Sequence, residues 1–184
     1  MTDKKLLVVY GTRYGSTEEI AQKIASIAEN ANISVSLIDL RKTQKKFWPS
    51  LEGFDGVIIG TGIRINRWVG QVKKFLVLRK EEINSFQGKI VFFTSSGLAF
   101  DKSKHDESVA VITNPMQNIG VSIPYYEIFG GKYDLTESSR FNFFDKWVIK
   151  MVAKDDPNIV FGETNDQRDW KQIEQFASSF TEYL

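Results

Sequence analysis

Leu6-Leu7-Val8-Val9-Tyr10, then Gly11-Thr12-Arg13-Tyr14-Gly15-Ser16-Thr17, then Glu18-Glu19-Ile20-Ala21-Gln22-Lys23-Ile24-Ala25 is the stretch on which the fold turns. The first run is continuously apolar, as a strand covered on both faces of a parallel sheet must be. Ile20, Ile24, Ile27 and Ala28 then recur at helical spacing. The segment between them carries two glycines and the hydroxyls of Thr12, Tyr14, Ser16 and Thr17. A phosphate monoester held at a helix N-terminus needs free backbone N–H groups, short hydroxyl donors and room for the backbone to approach, and this loop offers all three. Arg13 adds a planar cationic donor, unless it points to solvent.

Two other phosphate loops are excluded. No G-x-x-x-x-G-K-[ST] is present, and no G-x-G-x-x-G follows the strand. The remaining pattern, T-x-[TY]-G-x-T, suits a lone terminal phosphate. A plainer role is a helix cap by Ser16 or Thr17, with Glu19 completing a capping box from Ser16. A cap needs one hydroxyl, however, and this loop supplies four.

The 184 residues are read as a single domain, 1–184, long enough to bury a full core. Cysteine is absent, which excludes disulfides, iron–sulfur clusters, thiolate zinc sites and cysteine nucleophiles. The lone histidine, His105, sits among Asp101, Lys102, Ser103, Lys104, Asp106 and Glu107 and reads as a solvated loop residue. Redox chemistry in this chain therefore falls to an organic cofactor. A net charge of +1 gives no global field for nucleic acid or anionic lipid. No apolar run approaches the roughly 20 residues of a membrane span, and none reads as a signal peptide, so a cytoplasmic protein is expected.

Val35–Leu40, Asp55–Gly62, Lys89–Gly97 and Tyr125–Lys132 read as four further strands. A helix is expected from Trp68 to Arg79, with Val72, Phe75 and Leu76 as its apolar stripe. Phe100 to Ser108 reads as a loop, followed by a short helix, Val109 to Ile119, broken at Asn114-Pro115. Helical spacing of Phe144, Trp147, Val148 and Met151, and of Trp170, Ile173, Phe176 and Phe180, points to two more helices with aromatic core faces. Strands alternating with helices after a phosphate loop give an α/β doubly wound parallel sheet of five strands, order 2-1-3-4-5, with helices on both faces. The first, third and fourth strands all end in small polar loops, at the sheet edge where ligands bind.

At this point the chain resembles a flavodoxin-fold FMN protein. Thr12, Arg13, Tyr14, Gly15, Ser16 and Thr17 are similar to that family's FMN-phosphate loop, with Tyr14 where Thr is commoner and Ser16 where Asn is. Thr61, Gly62, Ile63, Arg64 and Trp68 match the second loop, which lies against one face of the isoalloxazine. Ser95, Ser96, Gly97 and Leu98 match the third, at the other face and the pyrimidine edge. The resemblance implies that Trp68 stacks on the ring, the alternative being a core Trp packed under the sheet, and that the backbone of Thr61, Gly62, Ser96 and Gly97 contacts its N5, N3 and carbonyl oxygens. It also implies that Arg64 places positive charge near the ring or near an anionic acceptor.

The run Phe129-Gly130-Gly131, Arg140, Phe144-Asp145-Lys146, Ile149-Lys150-Met151 and Gly162 through Trp170 resembles the menaquinone-dependent protoporphyrinogen dehydrogenase branch of the family. One departure is that the segment between the fourth and fifth strands carries Asp101, Asp106 and Glu107 against Lys102 and Lys104, where that branch has a long basic loop. Three functions stay open: an FMN electron carrier or oxidoreductase, a quinone-dependent protoporphyrinogen dehydrogenase, and a flavin-free binding module. No catalytic Ser/His/Asp or carboxylate pair and no metal site is read. The partner is expected to be a redox protein, a quinone or another small molecule, with peripheral membrane contact and the choice of monomer or homodimer left open.

Overall fold

The computed structural model describes residues 4–96, 105–139, 141, 146, 147, 149, 151 and 159–184. The opening apolar run forms β1 (Lys5–Gly11), buried at every position after Lys5. It has a parallel neighbour on each side, β2 (Ser34–Asp39) and β3 (Gly56–Arg64). The chain continues through the two-residue β4 (Arg67–Trp68), α2 (Gly70–Leu78), α3 (Lys80–Ser85), β5 (Lys89–Ser95), α4 (His105–Ile119) and β6 (Tyr125–Phe129). Strand order is β2-β1-β3-β5-β6, with every pair in that path parallel. With the hairpin strand β4 set aside, this is the doubly wound 2-1-3-4-5 order expected.

Alternate residues of the strands feed two core layers. Leu7, Val9, Val57, Ile59 and Phe92 face α2, α3 and α4, joined by Trp48 and Trp68. Leu6, Val8, Tyr10, Ile58, Val91, Phe93 and Phe129 face α1 (Ser16–Asn30) and α5 (Trp170–Glu182). Of the apolar stripes read for α1, α2 and α5, Ile20, Ile24, Ala28, Val72, Phe75, Leu76, Ile173 and Phe180 are buried, and Ile27, Trp170 and Phe176 pack partly buried against the same core. Asp169 caps α5, accepting from the N–H groups of Lys171 and Gln172.

Four elements differ from the sequence reading. α4 begins at His105 and runs unbroken through Pro115, because the carbonyl that the proline leaves unpaired finds another donor, Trp68. Trp68 belongs to β4, and the helix after it starts at Gly70. β6 stops at Phe129; beyond Gly130-Gly131 the chain forms β7 (Lys132–Asp134), which pairs antiparallel with β8 (Thr164–Asp166) in a separate two-stranded sheet. In the run read as a second aromatic core helix, Trp147 is 50% and Met151 61% exposed; Phe144 and Val148 lie outside the described residues.

Candidate functional site

The register of the sheet brings the starts of three loops together. Gly11 pairs with Thr61, and Gly62 with Ser95, so the residues after β1, the end of β3 and the end of β5 share one edge. In the first loop the chain must turn sharply into α1, and Gly15 does so at φ 99°, a left-handed value that costs a residue with a Cβ. Its N–H donates to Thr12 Oγ1 at 3.0 Å.

No side chain caps α1. The capping box therefore does not form: Ser16 Oγ lies 2.9 Å from Ser95 Oγ, which in turn donates to Gly130 O at 3.2 Å. Glu19 instead takes Arg168 and Lys132. Thr17 is buried, and its Oγ1 lies 3.0 Å from where a Cβ on Gly62 would stand. The first turn of the helix thus offers its N–H groups and its dipole at a loop ringed by hydroxyls, which fits a phosphate.

Thr61 is fully buried; its hydroxyl accepts from Val69 N at 3.2 Å and donates to Gly62 O at 3.3 Å, tying the second loop to α2. Ile63 packs on the core beside α2, and Arg64 stands half-buried near Arg13. Burial, and then the like charge of Arg13, hold the Arg64 guanidinium below its ordinary pKa. Arg13 itself is exposed. The ring of Tyr14 stacks on Phe141 with centroids 4.0 Å apart. Ser96 N donates to Phe129 O at 2.9 Å. Gly97 and Leu98 lie outside the described residues.

Trp68 does not present its ring at this edge. It is 3% exposed, stacks on Phe92 at 4.7 Å and donates from Nε1 to Val111 O at 2.8 Å. A Trp opposite Ile63 in the β3–β4 hairpin shares its apolar face, and that face is core.

Three residue groups that support the loop escaped the sequence reading. Arg41 donates from Nη1 to Thr12 O at 2.7 Å; its signal is the register, since β2 lies beside β1 with Asp39 opposite Tyr10. Tyr10 donates to Glu18 at 3.3 Å, and Lys42 pairs with the same carboxylate at 2.6 Å. Burial and the neighbouring Glu18 and Asp39 charges push the Tyr10 hydroxyl up, so it stays a donor. Arg168, with a side chain 1% exposed, binds Asp166, Glu19 and Ser16 O, the last at 3.4 Å, beneath the ring of Trp170. No signal short of the fold joins residues 168 and 19. Among the described residues no group of His, Cys, Asp or Glu could hold a metal, and no helix is long and apolar enough to cross a membrane.

Fold and site together define an α/β protein with a hydroxyl-rich strand-to-helix loop at the switch edge of its sheet. The chain belongs to the flavodoxin domain family, whose model matches residues 7–158. It is similar to the protoporphyrinogen IX dehydrogenase [quinone] of Escherichia coli K12, 23% identical over 94% of this chain and 92% of that one. Among solved structures it is similar to oxidised flavodoxin 1 from Bacillus cereus, with a TM-score of 0.58 and 18% identity over 98% of this chain and 99% of that one. A Fusobacterium nucleatum flavodoxin bound to flavin mononucleotide matches with a TM-score of 0.50 and 12% identity, over 98% and 95% of the two chains.

Proposed function

We propose that this chain is an FMN redox protein of one domain, an electron carrier or oxidoreductase with its flavin at this edge of the sheet. The observation that carries this is the uncapped N-terminus of α1, ringed by Thr12, Ser16 and Thr17 and set in register beside the loops of β3 and β5. When bound, FMN supplies the electron or hydride transfer that no side chain here can.

The protein's part is to bind and orient. The N–H groups of the first turn of α1, the hydroxyls of Thr12 and Thr17, that of Ser16 once it leaves Ser95, and the α1 dipole would hold the phosphate, with Arg13, Tyr14 and Gly15 shaping the loop. Thr61, Gly62, Ile63 and Arg64 are assigned to one side of the ring, and Ser95, Ser96, Gly97 and Leu98 to the other. Arg41 holds the loop's backbone from behind. A cytoplasmic location agrees with the absence of a spanning helix among the described residues.

Replacing Thr12, Ser16 and Thr17 together by Ala is expected to abolish flavin retention, read from the visible absorption of the purified protein. Retention unchanged in a folded triple variant would refute the phosphate assignment.

The second reading, oxidation of protoporphyrinogen with quinone as acceptor, is favoured by a relative of that activity aligned over nearly the whole of both chains. Stepwise anaerobic reduction separates the two. Reduction in two resolved steps supports a one-electron carrier, whereas a single step with protoporphyrinogen-dependent reduction supports the dehydrogenase.

A further inference from the structure

Ser16 is held at two of its atoms, from the turn after β6 and from the end of β8. Its carbonyl accepts from Arg168 Nη1 at 3.4 Å, and that arginine side chain is 1% exposed and tied to Asp166 and Glu19. Its hydroxyl lies 2.9 Å from Ser95 Oγ, and Ser95 Oγ donates to Gly130 O at 3.2 Å. One residue on, Gly131 O accepts from Gln167 N at 3.0 Å, which joins the turn to the residue beside Arg168. These contacts close a ring through Ser16, Ser95, Gly130, Gly131, Gln167 and Arg168. Within it the backbone of Ser16 is fixed, and its hydroxyl turns about a single bond.

A hydroxyl carries one hydrogen. The carbonyl of Gly130 can only accept, and it belongs to a buried residue, so the hydrogen of Ser95 is committed to it. Between the two serines the donor is therefore Ser16. Thr12 stands the other way round: its Oγ1 already accepts from Gly15 N, which leaves its hydrogen for a ligand. The loop thus carries hydroxyls of opposite sense. A fully ionised anion accepts hydrogen bonds and donates none, so it matches Thr12 directly but must draw the Ser16 hydrogen away from Ser95. Gly130 O, Ser95 Oγ and the anion are then three acceptors for two hydrogens, and one of them goes without.

We infer that Ser95 is a positioning residue that withholds the Ser16 hydrogen from the flavin phosphate and so lowers the loop's affinity for it. That the phosphate is the one on FMN rests on the function proposed above; the competition for one hydrogen holds for any phosphate in the loop. Turning Ser16 Oγ to the phosphate exchanges one hydrogen bond for another and gains little net. With no acceptor at residue 95 the same hydrogen reaches the phosphate and nothing is given up in exchange. Gly130 O then lacks Ser95 both with and without an anion in the loop, so that loss cancels from the affinity. A side chain that only packed under the loop would act in the opposite sense, its truncation loosening the site.

The test is titration of the natural chain and its variants with FMN, with riboflavin, which has the ring and no phosphate, and with inorganic phosphate. Ser95→Ala is expected to raise the ratio of FMN to riboflavin affinity about fivefold, the worth of one hydrogen bond, and the affinity for inorganic phosphate by a similar factor. Ser95→Cys keeps the shape of the side chain and accepts only weakly, so it is expected to fall between the two. Ser16→Ala is expected to cost about fivefold more FMN affinity in the Ser95→Ala background than in the natural chain. A ratio unchanged or lowered in both variants at residue 95 overturns the proposal. So does an equal gain for FMN and riboflavin, which would assign the effect to the ring, or an equal cost of Ser16→Ala in the two backgrounds. If FMN fails to bind while phosphate binding still rises with Ser95→Ala, the function proposed above falls and the role of Ser95 stands. If neither FMN nor phosphate binds to any of these chains, both fall.

Discussion

Trp68 Nε1 donates to the carbonyl of Val111 at 2.8 Å, and Val111 lies four residues before Pro115 in the same helix. In an α-helix that carbonyl is the one the N–H of residue 115 would satisfy, and proline has none. The indole therefore supplies the missing donor from a different element. This explains both why α4 continues through its proline and why Trp68, close in sequence to the end of β3, turns inward.

Trp68→Phe is expected to cost about 1–3 kcal/mol, because it leaves a buried carbonyl unpaired as well as removing packing. In a Pro115→Ala background the helix supplies its own N–H, and the same substitution is expected to cost less by about 1 kcal/mol. Urea unfolding of the four proteins measures the coupling. Purely additive losses would mean that the indole–carbonyl bond is not what reconciles the proline with the helix.

Ile65→Asn should stabilise the protein, by about 1 kcal/mol, since Asn accepts the left-handed conformation, φ 47°, that Ile65 adopts at a cost. For a chain of this size that is a rise of about 2–4 °C in Tm. Calorimetry on the two proteins decides it, and a fall in Tm would show that the exposed Ile65 side chain repays its own strain.

Much of the fold was legible because its signals are local. A continuous apolar run marks each buried strand, as in Leu6–Tyr10 and Val57–Ile59, and the order followed from the alternation with helices. The hydroxyl-rich loop between β1 and α1 was legible for the same reason, since Thr12 to Thr17 are contiguous. Contacts between distant segments left no such mark. Pro115 read as a break because its remedy lies at residue 68, and Trp68 stayed open between ring stacking and core because its partner Phe92 lies on another strand, far along the sequence. Arg41 and Arg168 act on the loop only through the sheet order and the packing of α5 against α1.

Gly60 faces Phe93 so closely that a Cβ would stand 2.3 Å from the ring. Gly60→Ala is expected to destabilise by about 1–3 kcal/mol through overpacking of a strand interior. Phe93→Leu in the same chain should recover part of that loss. A double variant no better than the sum of the two single ones would show that the strand, and not the ring, resists the extra methyl.

The Arg168 cluster makes stability depend on acid. For both Glu19 and Asp166 burial opposes ionisation, but hydrogen bonds from Arg168, with Lys132 adding to them, hold each carboxyl below its ordinary value. A carboxyl depressed in the folded state contributes stability above its unfolded pKa of about 4, and that contribution is lost as pH falls through the folded value. Arg168→Met is therefore expected to lower the urea midpoint at pH near 7, and its deficit relative to the natural chain should shrink as pH falls below about 4. Because Arg168 also donates to Ser16 O, FMN affinity should weaken across the same window in the natural chain and already be weak in the variant. Unfolding curves for the two proteins that stay parallel from neutral to acid pH would mean that the guanidinium is held by packing on Trp170 and that its ion pairs contribute nothing measurable.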